Sequence, residues 1–253
     1  MPELAAVHQY KQAARITYPQ GKPVEFCPWL RTESLETHVL VSDLIHSLGV
    51  PSGSAAIAAA RRRKLEQQAG VERVVDQYAA DGTLLASHAK RVAPGEIWRL
   101  SLGLTPQSGL EYGLLVFRGP YTLNHFQIVG PGTFATCHSR RHPLEESAWR
   151  HVRCIPFPLQ PGALLSLFLM NRGSGDNRIA ISRLTERRRV STLTADIPRL
   201  GCKIVCLNRL LEGTVFDGTA ARFLVESTYP YDLYTLSERD GAAAEAFSIQ
   251  HIK

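Results

Sequence analysis

The sequence has no apolar run approaching the roughly 18 residues that a membrane-spanning helix needs, which excludes a transmembrane helix as the organising element. Its first 21 residues, MPELAAVHQYKQAARITYPQG, carry charges throughout and have no apolar core segment, so they do not read as a secretory signal. Cysteine is sparse. The five residues Cys27, Cys137, Cys154, Cys202 and Cys206 are odd in number and lack the spacing of a disulfide framework, which points to reduced thiols and a cytoplasmic location.

Motifs of catalysis are missing as well. There is no Gly-x-Ser-x-Gly elbow, no His-Glu-x-x-His and no Cys-x-x-Cys pair. The glycine-rich NRGSGDN, residues 171–177, lacks the phosphate-binding lysine and leads into a strand, so it reads as a turn. No cofactor is implied.

What is present suits a globular protein with a real core: 253 residues, 44% hydrophobic and 21% charged. The net charge of +6 is concentrated in Arg61, Arg62 and Arg63 and in Arg187, Arg188 and Arg189. These two clusters are the candidate partner-binding residues. Aromatic residues are not interleaved with them, so a nucleic-acid platform, which would stack bases beside the charge, is the weaker use of these arginines.

The most informative feature is a near-repeat. LLVFRGPYTLNHF, from Leu114, returns as LVESTYPYDLYTL, from Leu224, at an offset of 110 residues. Leu114 matches Leu224, Leu115 Val225, Pro120 Pro230, Tyr121 Tyr231, Leu123 Leu233 and Phe126 Leu236. Each copy predicts a strand, a proline-interrupted hairpin and a second strand. The tyrosine after the proline is expected to be a core anchor whose hydroxyl reaches the backbone.

Around this motif the chain reads as short strands separated by turns. IWRLSL alternates Trp98, Leu100 and Leu102 against Ile97, Arg99 and Ser101, and Asp81-Gly82 signals a hairpin turn. Residues 1–35, rich in proline, read as an irregular N-terminal arm. Ser54 caps a run of strong helix formers that Gly70 stops, predicting a helical insertion at about 54–69.

The resulting expectation is an all-β chain with an arm and first sandwich in 1–138, a linker in 139–162 and a second sandwich in 163–253. Internal duplication would relate the two modules. Alternation followed by a proline turn resembles immunoglobulin-like sandwich modules, a likeness that implies a fold and transfers no functional residue.

Cys137, His138, His142, His151 and Cys154 form the densest group of reactive side chains. His142, His151 and Cys154 are weak zinc candidates, because they lack the paired knuckle that zinc sites use. His38, Asp43 and His46 form a second candidate group. The leading expectation is a non-enzymatic binding or assembly module that engages a protein partner or its own copy. The alternatives are a hydrolase or lyase with a site between the modules, and an anion or nucleic-acid binder using the arginine clusters.

Overall fold

The computed structural model describes residues 23–42, 70–93, 95–105, 109–118, 124–131, 133–143, 151–158, 163–185, 188–212, 220–239 and 248–251. Within these residues the chain is all-β. The expected helix at 54–69 lies outside them.

The first half contributes β1 (Pro23–Arg31), β2 (Glu36–Ser42), β3 (Val71–Ala79), β4 (Leu84–Val92), β5 (Ile97–Ser101), β6 (Glu111–Arg118), β7 (His125–Gly130) and β8 (Thr133–His138). β9 (Arg140–Pro143) and β10 (His151–Pro158) follow, then β11 (Ala163–Asn171), β12 (Asn177–Thr185), β13 (Arg188–Ile197) and β14 (Cys202–Cys206). After one 3-10 turn at Asn208–Leu210 come β15 (Ala220–Ser227), β16 (Tyr231–Arg239) and β17 (Ser248–His251).

These strands form four antiparallel sheets. Sheet I has the order β5-β2-β7-β8, sheet II β4-β3-β6-β1-β9, sheet III β14-β11-β16-β17 and sheet IV β10-β15-β12-β13. The orders of the two halves correspond position by position. β4-β3-β6-β1 is matched by β13-β12-β15-β10, and β5-β2-β7-β8 by β14-β11-β16-β17.

The described strands support an all-β architecture of four antiparallel sheets, the coarser part of the expectation. The immunoglobulin sandwich sets its first two strands side by side in one sheet, whereas β1 and β2 lie in different sheets. The proline-interrupted hairpin is corrected. β15 and β16 belong to sheets IV and III, so the turn through Pro230 is a corner between sheets rather than a hairpin within one. Proline cannot donate to a ladder, and here the chain leaves one ladder for another.

The tyrosine at this corner behaves as expected. Tyr231 is buried, and its hydroxyl donates to the Val225 carbonyl at 3.1 Å, tying the two sheets together. Its counterpart Tyr121 lies outside the described residues. The Phe126/Leu236 match does not hold as an equivalence of position. Phe126 pairs across the ladders with buried Val39 and half-buried Cys137, on the inner face of sheet I. Leu236 shares with Tyr234 the face of sheet III that enters the first core, opposite the face of Leu233.

Two further expectations change. The stretch read as an irregular arm contains β1, which pairs with β6 over Glu25–Arg31 and buries Phe26, Cys27, Trp29 and Leu30. Pro28 had argued against a strand there. β9 pairs only with Pro23–Phe26, however, so at Pro28 one side of the strand is free of a ladder and tolerates a missing N–H. The segment 139–162 carries β9, a strand of sheet II, and β10, a strand of sheet IV.

The local turn chemistry follows the sequence. Gly82 takes φ +81°, and the Thr83 N–H donates to Asp81 Oδ1 at 2.9 Å. In β5, Trp98 and its even-numbered neighbours turn inward while Ile97, Arg99 and Ser101 are exposed.

Packing joins the halves. In sheet III, Phe168, Met170, Cys202, Tyr234, Leu236 and Ile249 enter the same core as Phe26, Trp29, Leu114 and Val116 of sheet II. The opposite face, with Leu165, Leu167, Leu169 and Leu233, packs with Ile179, Ile181, Phe223 and Val225 of sheet IV in a second core. Rings mark the shared boundary edge to face: Tyr112 meets Phe168 with centroids 5.8 Å apart, and Phe126 meets Tyr234 at 5.6 Å. The Tyr234 hydroxyl also donates to the His138 carbonyl at 3.2 Å.

A second junction lies at the turns. Cys202 N–H donates to Ala80 O at 3.0 Å, and Leu200 enters the first core from a left-handed backbone, φ +56°. That conformation costs a non-glycine residue about 1–2 kcal/mol.

Phe168→Ala should therefore destabilise the protein by about 3–5 kcal/mol. Denaturant unfolding followed by hydrogen exchange should show protection lost in β1 and β6 as well as in β11. Loss confined to β11, β14 and β16 would contradict a shared core.

Candidate functional site

The residues singled out from the sequence are dispersed. Arg61, Arg62, Arg63 and Arg187 lie outside the described residues, as do Asp43 and His46. Arg188 and Arg189 are exposed near the start of β13, and Arg189 Nη2 lies 2.6 Å from Glu226 Oε2. His142 belongs to β9 in sheet II, opposite Val24. His151 and Cys154 are both on β10, three residues apart and therefore on opposite faces of sheet IV. Among the described residues no three His, Cys, Asp or Glu side chains converge as metal ligands.

The cysteines are unpaired. Cys202 and Cys206 share a face with Ile204, as their spacing requires, although only Cys202 is buried. Burial pushes the thiols of Cys27 and Cys202 well up, which keeps them protonated and poor nucleophiles.

Buried polar groups gather in four places. Glu25 on β1 accepts hydrogen bonds from the Ser139 hydroxyl and, at 3.0 Å, from the Asn124 backbone N–H. It thereby ties sheet II to the segment before β7 and the residue after β8. Burial raises its carboxyl above the ordinary 4.5, against the opposing pull of Ser139, Asn124 and the Arg73 charge.

Asp76, fully buried on β3, receives Nε and Nη2 of Arg118 at 2.6 and 2.9 Å and the Ser87 hydroxyl at 2.7 Å. His38 Nε2 lies 3.0 Å from Glu36 Oε1, whose Oε2 accepts from Ser101 at 2.6 Å. The serine thus bonds the carboxylate rather than the imidazole, so the set is not a Ser-His-acid relay.

The fourth cluster explains NRGSGDN. Asn171 donates to the carbonyls of Gly175, Ile197 and Pro198, and Asn177 exchanges hydrogen bonds with the Tyr229 backbone at 2.9 and 3.0 Å. A Cβ at Gly173 would stand 2.5 Å from the Tyr229 ring, so this glycine serves close packing. Arg172 Nε lies 3.3 Å from Asp232 Oδ2, both buried. These side chains are occupied in fastening loops.

The sheet edges are a different matter. An edge strand offers unpaired backbone groups and is normally blunted by shortness, charge or proline. β9 and β17 are four residues long, and β5 and β14 are five residues each with a basic residue, Arg99 or Lys203. β10 carries Pro156 and Pro158, β4 carries His88, Lys90 and Arg91, and β8 lies alongside β17.

β13 is the exception. It is ten residues long, and its stretch from Val190 to Ala195 has neither charge nor proline. Among the described residues it pairs on one side only, with β12. Val190 is 57% exposed. A strand's own residues do not place it at an edge, because edge position is set by pairing across the whole sheet.

Glu25 supplies a pH test. Its folded-state carboxyl is raised, so its stabilising contribution is full below 4.5 and is lost as pH rises through the folded value. Stability of the native protein relative to Glu25→Gln should fall as pH is taken from about 4 to neutrality, read from urea midpoints. A difference that grows with pH would reverse the assignment.

No known protein-family model matches the chain, and searches of curated proteins and of solved structures find no significant match.

Proposed function

We propose that this chain is a non-enzymatic binding or assembly module built from two sandwich-like halves that arose by internal duplication. The matching strand orders of the two halves support the duplication. The observation that carries the functional reading is the edge of β13, uncharged from Val190 to Ala195 and unpaired on one side among the described residues, whose other edge strands are short, charged, proline-bearing or set against a neighbour. The polar clusters favour the same reading, since Glu25, Asp76, Asn171 and Asn177 are engaged in fastening strands and loops. Five unpaired cysteines favour a reducing, cytoplasmic setting.

Native mass spectrometry of protein purified from its source provides the test. The expected spectrum contains multiples of the 28.0 kDa chain, or the chain with a second protein. A single chain carrying only a metal or small-molecule increment would refute the assembly reading.

A further inference from the structure

We infer that the partner at β13 is a second copy of this chain, bound edge to edge in antiparallel orientation. Two copies of sheet IV would then form one continuous eight-stranded sheet across a two-fold axis. This rests on the assembly reading above and names the occupant of the same edge.

The chemistry of β13 selects a self-pair. Its register with β12 is regular from Asn177↔Ile197 to Arg183↔Ser191 and then shifts, with Leu184 opposite Arg189. Val190 is thus an extra, bulged residue, and the regular run from Ser191 to Ile197 is available for a new ladder. Its Thr, Leu and Ala residues are compatible with a sheet, and no charge interrupts it before Asp196.

A two-fold axis at Leu193 keeps the faces in phase. Thr192 then stands opposite Thr194 of the second copy, Ser191 opposite Ala195, and the bulged Arg189–Val190 pair opposite Asp196. Arg189 shares a face with Glu226, to which it is bridged, while Thr192 shares a face with Ser182, to which its hydroxyl is bonded at 2.9 Å. Each end of the new ladder therefore brings an arginine to an aspartate.

Asp196 is free to serve in this way. Its side chain is 79% exposed, and its contact with Arg178, itself 69% exposed, is a loose 3.8 Å. Such a surface pair contributes little within the chain. An antiparallel self-pair uses opposite charges at the two ends of one strand, whereas a parallel pairing would set arginine against arginine. Leu193, only partly buried against the second core, would meet its own counterpart at the axis, and the exposed Val190 would be covered beside it.

The test uses two double variants of the full-length protein at exposed positions. Thr192→Lys/Thr194→Lys sets like charges opposite each other twice, whereas Thr192→Lys/Thr194→Glu sets opposite charges there. Sedimentation equilibrium of the unaltered chain should give twice 28.0 kDa. The Lys/Lys variant should weaken the dimer by about tenfold or more, and the Lys/Glu variant should retain it. Unchanged thermal melting of the monomeric fold would separate this effect from misfolding.

A dimer indifferent to Lys/Lys, a chain that remains monomeric at about 100 µM, or equal loss in both variants would overturn the self-pair. The first would leave assembly through another surface standing. A monomer that binds a different protein would also preserve the assembly reading, whereas a monomer carrying only a small molecule would remove both.

Discussion

Sheet III must be covered on both faces, and the rest of the molecule is arranged around that requirement. β11 reads ALLSLFLMN, with large apolar residues on both sides of the pleat, so water can be excluded only if a sheet lies against each side. Sheet IV covers Leu165, Leu167 and Leu169, and sheet II meets Phe168 and Met170. Sheet II in turn must be apolar on both faces. In β6, Leu114 and Val116 alternate with Leu115 and Phe117, and all four are buried. The two remaining outer faces are more polar, with Arg99, Ser101 and His125 on sheet I and Thr192, Thr194 and Arg222 on sheet IV.

Apolar layers can slide on one another, and the buried polar groups restrict that freedom. Asp76 with Arg118, Glu25 with Ser139, and Asn171 with three carbonyls each demand a specific partner, because leaving any of these groups unbonded in the interior would be costly. Gly113 acts in the same sense. A Cβ there would stand 1.9 Å from the Tyr78 carbonyl, the group to which the Trp29 indole donates at 2.8 Å. Such contacts fix register where hydrophobic contact alone would accept several alignments.

Strand identity was legible in the sequence, and strand partnership was not. Alternation located β5, the Asp81-Gly82 turn located the β3–β4 hairpin, and the repeated proline-tyrosine pair located the corner that Tyr231 fastens. Local pattern failed where long-range pairing decided the outcome. Pro28 disguised β1, a lack of period disguised β9 and β10, and the corner at Pro230 looked like a hairpin because a turn's residues do not reveal whether the next strand rejoins the same sheet. The candidate site followed the same rule. The arginine clusters were visible by composition, whereas the open edge of β13 depends on which strands occupy the other places in sheet IV.

The shared core has a consequence for synthesis. On the ribosome the first half emerges before Phe168, Tyr234, Leu236 and Ile249 exist, and these residues complete its core. Between the end of β8 at His138 and the start of β17 at Ser248 the nascent chain must grow by a further stretch of sequence. At the usual elongation rate this takes on the order of ten seconds. Throughout that interval Leu114 and Val116 of sheet II lack the sheet III residues that share their core. The N-terminal half thus waits for the C-terminal half to complete its core, and a ribosomal stall in the second half would release a chain whose first core lacks these residues.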